Sequence, residues 1–90
     1  MYYFVYILLS LKDNNFYIGF TNNLKRRFKE HKNGFVFSTK NRRPLELVYF
    51  EYHRNHKDAL AREKFFKTGW GRNYCKRILS NFLREKNIKI

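Results

Sequence analysis

The sequence predicts an α+β fold in which a small, three-stranded and mostly antiparallel sheet is flanked by about three helices. Residues 2–9 are apolar or aromatic without interruption, which is typical of a central strand buried on both faces. Further segments follow in the order strand, helix, strand, helix, helix. With 90 residues the chain has the size of a single domain, spanning residues 1–90.

Three apolar stretches predict the strands, over residues 2–9, 16–20 and 45–52. The turn-rich segment 10–15 ends in Asp-Asn-Asn and makes the first two strands a predicted hairpin. Alternation along the third strand predicts two faces. One face carries Leu45, Leu47 and Tyr49, and the other carries Val48 and Phe50.

The first helix has clear signals at both ends. It begins after Thr21-Asn22-Asn23, whose side chains can cap its N-terminus, and it runs to about Asn33. Gly34 is a left-handed stop. Leu24 and Phe28 form the apolar stripe of this helix.

Two more helices are predicted in the C-terminal half, over residues 56–68 and 72–86. Gly69 and Gly71 separate them. The inward-facing residues of the last helix are predicted to be Ile78, Phe82 and, as a further candidate, Leu79.

Charge is the most informative property of the composition. Lys and Arg number 20 against 7 Asp and Glu, a net charge of +13, and the segment 35–44 is predicted to be a basic loop. Such an excess favours a nucleic-acid partner over a membrane surface, and self-repulsion favours a monomer. The predicted phosphate contacts are Lys25, Arg26, Lys29, Arg42, Arg43, Lys67 and Arg72.

Several classes of protein are excluded by composition. The one cysteine, Cys75, allows neither a disulfide framework nor a cysteine-based zinc site, and we expect it to pack within a helix. The longest apolar run, residues 1–9, is too short for a membrane helix and lacks the features of a secretion signal. The histidine-containing segment 53–56 favours a solvated turn. These features favour a reduced, cytoplasmic compartment.

Glu63 is the residue most suggestive of chemistry. At helical spacing it shares one narrow arc of the second helix with the apolar residues Ala59, Phe66 and Trp70. A carboxylate there is costly unless it is paired with a cation or bound to a metal. The pattern favours an ion pair and a functional carboxylate equally.

Arg27 and His31 are four residues apart and share one face of the first helix, beside its apolar stripe. Arginine is a forked donor for phosphate oxygens, and histidine can exchange a proton. Simple packing is nonetheless the favoured interpretation of this spacing alone. Packing is also favoured for Tyr6 and Tyr17, each taken singly, on their predicted neighbouring strands.

An ordered set of short motifs extends over nearly the whole chain. Its members are Phe4-Val5-Tyr6, Tyr17-Ile18-Gly19, Gly19-Phe20-Thr21-Asn22-Asn23-Leu24, Arg26-Arg27-Phe28 with His31, Arg43-Pro44, Leu47-Val48-Tyr49-Phe50-Glu51 and Asp58-Ala59-Leu60-Ala61-Arg62-Glu63-Lys64. In this order and spacing they resemble the GIY-YIG nuclease superfamily. The chain is similar to its short standalone bacterial members, which are related to the N-terminal nuclease domain of the excision-repair endonuclease, excinuclease ABC.

The resemblance implies hydrolysis of phosphodiester bonds with one divalent metal, Mg²⁺ or alternatively Mn²⁺, and no small-molecule cofactor. By position, Glu63 would bind the metal and Arg27 would stabilise charge on the scissile phosphate. Tyr6 or Tyr17 would activate or orient the attacking water. Arg27 and the metal would lower the tyrosine pKa. His31 would assist in the proton network.

The sequence departs from the family pattern in two places. Phe4 stands where the first motif has a glycine, although Tyr6 is kept. Asn73 is the nearest candidate for an asparagine that the family often has in its site. The added domains that select the target in many relatives have no counterpart in this sequence, so a protein partner is expected to supply specificity.

The leading hypothesis is a Mg²⁺-dependent DNA endonuclease acting in DNA repair or on structured DNA, with RNA left open as a substrate. The alternative is a basic nucleic-acid-binding module with little or no catalytic activity. A structural protein of an RNA–protein particle would explain the charge. It would not explain why Tyr6, Tyr17, Arg27, His31 and Glu63 occur together.

Overall fold

The computed structural model describes residues 1–89 and arranges them in three strands and four α-helices. The strands are β1 (Tyr3–Ser10), β2 (Phe16–Thr21) and β3 (Leu45–His53), and the helices are α1 (Leu24–Lys32), α2 (His56–Phe66), α3 (Gly69–Ile78) and α4 (Ser80–Glu85). A 3₁₀ turn over Lys40–Arg42 precedes β3. The sheet order is β2-β1-β3 with both pairs antiparallel, which confirms the predicted α+β class.

Strand β1 lies at the centre of the sheet and is buried on both faces, as its unbroken apolar run predicts. Its side chains alternate between two clusters. The larger cluster, on the side of α2, α3 and α4, includes Val5, Ile7, Leu9, Ile18, Ala59, Phe66, Cys75, Leu79 and Leu83. The smaller cluster, on the side of α1, includes Tyr6, Leu8, Leu45, Tyr17, Leu24, Phe28 and Leu47.

The predicted ends of the first helix are confirmed. The Asn23 side chain caps α1 by accepting a hydrogen bond from the Arg26 backbone N–H at 3.1 Å. Gly34 follows the helix with φ of +78°, the left-handed conformation that glycine adopts without strain. Leu24 and Phe28 pack on the sheet, as predicted.

The alternation predicted for β3 is reversed at a bulge. Val48 is an extra residue opposite the step from Ile7 to Leu8 in β1. Beyond it, Tyr49 packs in the larger cluster, whereas Phe50 pairs with β1 on the α1 side. The predicted faces of Tyr49 and Phe50 are therefore wrong, because one inserted residue changes the phase of a two-residue repeat.

The second helix ends at Phe66, two residues earlier than predicted. The Thr68 hydroxyl caps α3 by accepting from the Gly71 N–H at 3.0 Å. A side chain at position 71 would overlap the Phe65 carbonyl, so glycine permits the close approach of α3 to α2. Trp70 consequently lies in α3 and is 84% exposed, and its predicted place in the apolar arc of the second helix is wrong.

The predicted third helix is two helices, α3 and α4, that meet at Leu79. The break changes which residues face the core. Leu79 and Leu83 are buried and Phe82 packs partly against the core, whereas Ile78 is 37% exposed, contrary to the prediction for Ile78. None of the helices formed by residues 1–89 is both long and apolar enough to cross a membrane.

An ion pair fixes α2 to the edge strand β3. Arg62 donates from Nε and Nη2 to the two carboxylate oxygens of Glu51, each at 2.9 Å. Glu51 also accepts from Tyr49 Oη at 2.9 Å and lies 3.1 Å from His53 Nε2. Burial acts to raise the pKa of Glu51, but the hydrogen bonds, first of all from Arg62, hold it below its usual value. The carboxylate is therefore ionised inside the fold.

Replacing Arg62 by methionine is expected to lower the free energy of unfolding by about 2–3 kcal/mol, because Glu51 would remain charged and largely buried without its main partner. Urea unfolding at neutral pH measures this. The matched control is Arg77→Met, since Arg77 is exposed on α3, and its change should stay within about 0.5 kcal/mol.

Adding Glu51→Gln to Arg62→Met should recover part of the lost stability, because the uncompensated charge is then removed. Wild-type stability of Arg62→Met alone would contradict this account of the ion pair.

Candidate active site

The side chain of Tyr6 crosses the neighbouring strand at Gly19. The two residues are paired in the β1–β2 register, and a Cβ at position 19 would overlap the hydroxyl end of the Tyr6 ring. Glycine therefore leaves the space through which the phenol passes over β2. Just 1% of Tyr6 is exposed.

His31 of α1 meets the tyrosine hydroxyl in the interior. Its Nε2 lies 2.8 Å from Tyr6 Oη, and its Nδ1 lies 2.7 Å from Thr39 Oγ1. The Tyr17 ring lies edge-on to the imidazole with centroids 5.2 Å apart. The Ser38 hydroxyl donates to Tyr17 Oη at 3.3 Å. The structure thus brings together both tyrosines and the histidine that the sequence singled out.

The imidazole of His31 is neutral at physiological pH. Burial, and next the positive charge of Arg27, lower its pKa to about 4, although Glu30 acts in the opposite direction. A neutral imidazole has one N–H and one acceptor nitrogen. Of the two hydroxyls that it meets, from Tyr6 and Thr39, one therefore donates to the ring and the other accepts from it.

Tyr6 is a neutral phenol in this environment. Burial raises its pKa to about 12, and the neighbouring Arg27 guanidinium opposes this rise without cancelling it. Arg27 therefore acts on Tyr6 in the expected direction, but the pKa of Tyr6 in the protein alone is raised overall. The physical reason is that desolvation of a buried phenolate outweighs one adjacent guanidinium.

Arg27 lies at the boundary between this buried cluster and solvent. Its Nη1 donates to Glu30 Oε1 at 3.0 Å, and its positive charge acts on the neighbouring Tyr6 hydroxyl. About a third of the side chain is exposed. It lines a cleft of about 580 Å³ together with Thr21, Asn22, Arg26, Glu30 and His56. A phosphate entering this cleft would meet the guanidinium.

Glu63 lies on α2 between the buried residues Ala59 and Phe66, as the predicted arc requires. Its side chain is 21% exposed, and Oε2 is 3.1 Å from Lys67 Nζ, so the predicted ion pair is present. The negative charge of Glu63 also acts to raise the pKa of Tyr6. Both interpretations of Glu63 are therefore compatible with its position.

The donor set fits magnesium better than zinc. Within residues 1–89 no group of three or more histidine, cysteine or acidic side chains could hold a metal together. Mg²⁺ commonly keeps several waters and uses only one or two carboxylates. Glu63 can supply such a carboxylate, because its partner Lys67 is 54% exposed and can turn towards solvent.

The predicted phosphate contacts fall into two groups. Arg42 is held by the β1–β2 turn, where its Nε donates to Asp13 at 2.7 Å, and Arg43 donates to the Lys40 carbonyl at 2.9 Å. Arg43 is nonetheless exposed, as are the others: Lys25, Arg26 and Lys29 on α1, Lys67 after α2, and Arg72 on α3. Asn73 is exposed in a separate groove lined by Trp70, Arg72 and Lys76.

Sequence reasoning missed two residues at the site. Thr39 is buried and satisfies His31, but a threonine in a polar loop gives no signal of that contact. His56, predicted to begin the second helix next to a solvated turn, is exposed, begins α2 and lines the cleft of Arg27. Its packing on Tyr3 and Phe20 depends on the fold and not on its neighbours in sequence.

Comparison with known proteins identifies the class of this domain. The family model of the GIY-YIG catalytic domain matches residues 2–75. The chain therefore belongs to the GIY-YIG family, a family of nucleases, as the ordered motifs predict.

Individual relatives agree with this assignment. A UPF0213 protein of Clostridium perfringens is 40% identical over 87 residues, covering 96% of this chain and 92% of the relative. A UPF0213 protein of Limosilactobacillus reuteri is 46% identical over 68 residues, covering 72% and 70%. The solution NMR structure of a UPF0213 protein of Bacillus halodurans superposes with a TM-score of 0.56 at 31% identity, covering 89% of this chain and 84% of that one.

Replacing Gly19 by alanine is expected to displace Tyr6 and to lower the free energy of unfolding by about 1–3 kcal/mol, because the added methyl occupies the path of the ring. Urea unfolding measures the loss. The matched control is Gly69→Ala, since a Cβ there has no heavy atom within 4 Å. Equal stability of the two variants would contradict the crossing of Tyr6 over β2.

The buried, neutral state of His31 makes stability pH-dependent. An unfolded histidine takes up a proton near pH 6.5, whereas native His31 does so at about 4. Between these values the unfolded chain binds more protons, so the free energy of unfolding falls as the pH is lowered from about 6.5 to about 4, by roughly 1 kcal/mol per pH unit.

Urea unfolding between about pH 7 and pH 5 tests this slope, since most carboxylates titrate below that window. The slope should persist in His56→Gln, which removes an exposed histidine, and should be lost in His31→Gln. An unfolding free energy that is constant across the window in the wild type would contradict the assignment.

Proposed function

We propose that the chain is a divalent-metal-dependent endonuclease that hydrolyses phosphodiester bonds of DNA. The observation that carries the proposal is the buried hydrogen bond between Tyr6 and His31, with the adjacent Arg27 guanidinium lining an open cleft. Membership of a nuclease family supports this function, and the action of that family on DNA supports the substrate.

In the proposed mechanism, Arg27 would stabilise the transition state. Attack of water on the phosphorus and cleavage of the bond to the leaving oxygen place additional negative charge on the phosphate oxygens. Arg27 offers several N–H donors at the cleft and is held there by Glu30. Arg27 would therefore bind the scissile phosphate, and its hydrogen bonds would be strongest in the transition state, where the negative charge develops.

Tyr6 and His31 would orient the attacking water and move its proton. If the phenol donates to His31 Nε2, the lone pairs of Tyr6 Oη can accept a hydrogen bond from water, and Nδ1–H donates to Thr39. The water proton would pass to Oη as the phenolic proton passes to Nε2. The negative phosphate would raise the proton affinity of His31 during this step.

Glu63 would hold the metal after releasing Lys67. Mg²⁺, or Mn²⁺ in its place, would supply Lewis-acid stabilisation of the phosphate and leaving oxygens when bound. No small-molecule cofactor is part of the proposal. Released Lys67 would then be available to a DNA phosphate, together with the exposed lysines and arginines of α1.

The wider setting is part of the same proposal. The high positive charge favours a monomer through self-repulsion. We further propose that the protein acts in the cytoplasm on structured or damaged DNA, with a protein partner supplying specificity. RNA remains the alternative substrate, since phosphate contacts do not distinguish the two polymers. Binding without catalysis is the alternative function, and the Glu63–Lys67 ion pair favours it, because a paired carboxylate does not require a metal.

The decisive experiment is cleavage of supercoiled plasmid and branched DNA with Mg²⁺, Mn²⁺ or a chelator. Glu63→Gln is expected to lower the cleavage rate at least about 100-fold. DNA binding in chelator should be largely unchanged, because the neutral amide keeps the shape of the side chain. The matched control is Glu85→Gln, since Glu85 is exposed on α4, and it should cleave like the wild type.

Wild-type cleavage by Glu63→Gln would remove Glu63 from the mechanism. Binding without cleavage by the wild type on every DNA and RNA tested would favour the non-catalytic alternative.

A further inference from the structure

Two phenyl rings project into solvent from the loop that follows α1. Phe35 is 77% exposed and Phe37 is 86% exposed, whereas Val36 between them is buried at 7%. Exposed phenylalanines on one short segment are unusual, because each ring loses favourable burial. The fold therefore presents both rings outward while it uses the intervening residue as an anchor.

The segment that carries the rings is tied directly to the active site. Ser38, the residue after Phe37, donates to Tyr17 Oη at 3.3 Å, and Thr39 contacts His31 Nδ1 at 2.7 Å. The Val36 carbonyl accepts from the backbone N–H groups of Thr39 and Lys40, at 3.1 and 2.9 Å. The rings are thus held on an ordered turn, one residue away from the contact between Ser38 and Tyr17.

The surroundings of the rings are positively charged. Lys40 Nζ lies 5.2 Å from the centroid of the Phe37 ring, and Arg43 packs against Gly34 at the start of the segment. Lys32 ends α1 two residues before Gly34 and is exposed. An aromatic face beside a cation is complementary to a nucleotide, because the flat base can stack on the ring while the cation contacts the negative phosphate.

We propose that Phe35 and Phe37 form a stacking platform for unpaired nucleobases flanking the phosphate in the active site. The inference rests on the proposed function, because the strand that enters the cleft of Arg27 is what brings bases to the loop. It names the substrate class: DNA with single-stranded or splayed nucleotides next to the reacting bond. Intact duplex does not fit, since its bases are already stacked on one another.

Binding to oligonucleotides in chelator tests the platform without requiring cleavage. The probes are a single-stranded thymidine oligonucleotide of about 12 nucleotides and an abasic strand of the same length and charge. Phe35→Ala/Phe37→Ala is expected to weaken binding of the thymidine strand at least about tenfold. Binding of the abasic strand should change less than twofold, because the phosphate contacts remain.

A second variant separates stacking from simple hydrophobicity. Phe35→Leu/Phe37→Leu keeps apolar side chains but removes the aromatic faces, so it should bind the thymidine strand as weakly as the alanine variant. Phe35→Trp/Phe37→Trp should bind it at least as tightly as the wild type. All of these substitutions lie at exposed positions, and thermal unfolding should show wild-type midpoints.

Three outcomes would overturn the platform. The first is that the alanine variant loses as much affinity for the abasic strand as for the thymidine strand. The second is that the leucine variant binds the thymidine strand with wild-type affinity. The third is that the alanine variant, tested also on anionic lipid vesicles, loses binding to the vesicles but not to the oligonucleotide. The last outcome would assign the rings to a membrane surface.

Different results would overturn the nuclease proposal and the stacking platform. Base-dependent binding that is lost in the alanine variant, from a protein that cleaves nothing with any metal, supports the platform and overturns the nuclease proposal. Metal-dependent cleavage that proceeds equally well in the alanine variant on single-stranded and branched DNA supports the nuclease and overturns the platform.

Discussion

The candidate active site depends on the complete burial of one imidazole. His31 has no exposed surface, so both of its ring nitrogens must find partners inside the protein. Thr39 reaches one nitrogen from the loop, and Tyr6 reaches the other by crossing β2 at Gly19. These two hydrogen bonds therefore link the β1–β2 register, Gly19, Tyr6 and the position of His31 on α1. Tyr17 packs edge-on against the same ring.

The burial that orders this cluster also decides its chemistry. Desolvation keeps Tyr6 protonated and His31 unprotonated, so the pair shares a proton without carrying charge. The charged groups, Arg27 and Glu63, lie where solvent reaches them. A neutral interior beside charged side chains that solvent reaches suits a reaction in which charge enters with the substrate, because the cluster needs little reorganisation when a phosphate arrives.

Sequence reasoning succeeded where the signal is local. The caps of α1, the shared face of Arg27 and His31, and the buried strand β1 follow from spacings within one element. The contact of the two tyrosines with His31 depends on strand register, so only the resemblance to a family predicts that these three residues share a site. Phe4 shows the limit of that route: the motif lacks its glycine, yet Phe4 packs against Phe50 and leaves the path of Tyr6 unaffected.

The wrong predictions of which residues face the core have one physical cause. An inserted residue or a helix break shifts the repeat of inward-facing positions, and residue types alone do not reveal where such a shift occurs. The extra residue Val48 reverses the faces of β3, and the helix breaks before Trp70 and at Leu79 redirect the residues that follow. Thr39 was missed for a different reason. It lies eight residues from His31 in a loop, where no regular spacing relates one side chain to another.

Helix α2 carries consecutive residues with contacts towards opposite edges of the sheet. Arg62 binds Glu51 on β3, and Glu63 acts on Tyr6, whose hydroxyl lies over β2. Helix α2 therefore lies across the sheet. Arg62 attaches it to the edge strand β3, and the Glu63 carboxylate acts towards the other edge, at β2. The buried residues Ala59 and Phe66 and the Arg62–Glu51 ion pair together restrict the rotation of α2 about its own axis. A contact at β3 therefore contributes to the position of the Glu63 carboxylate.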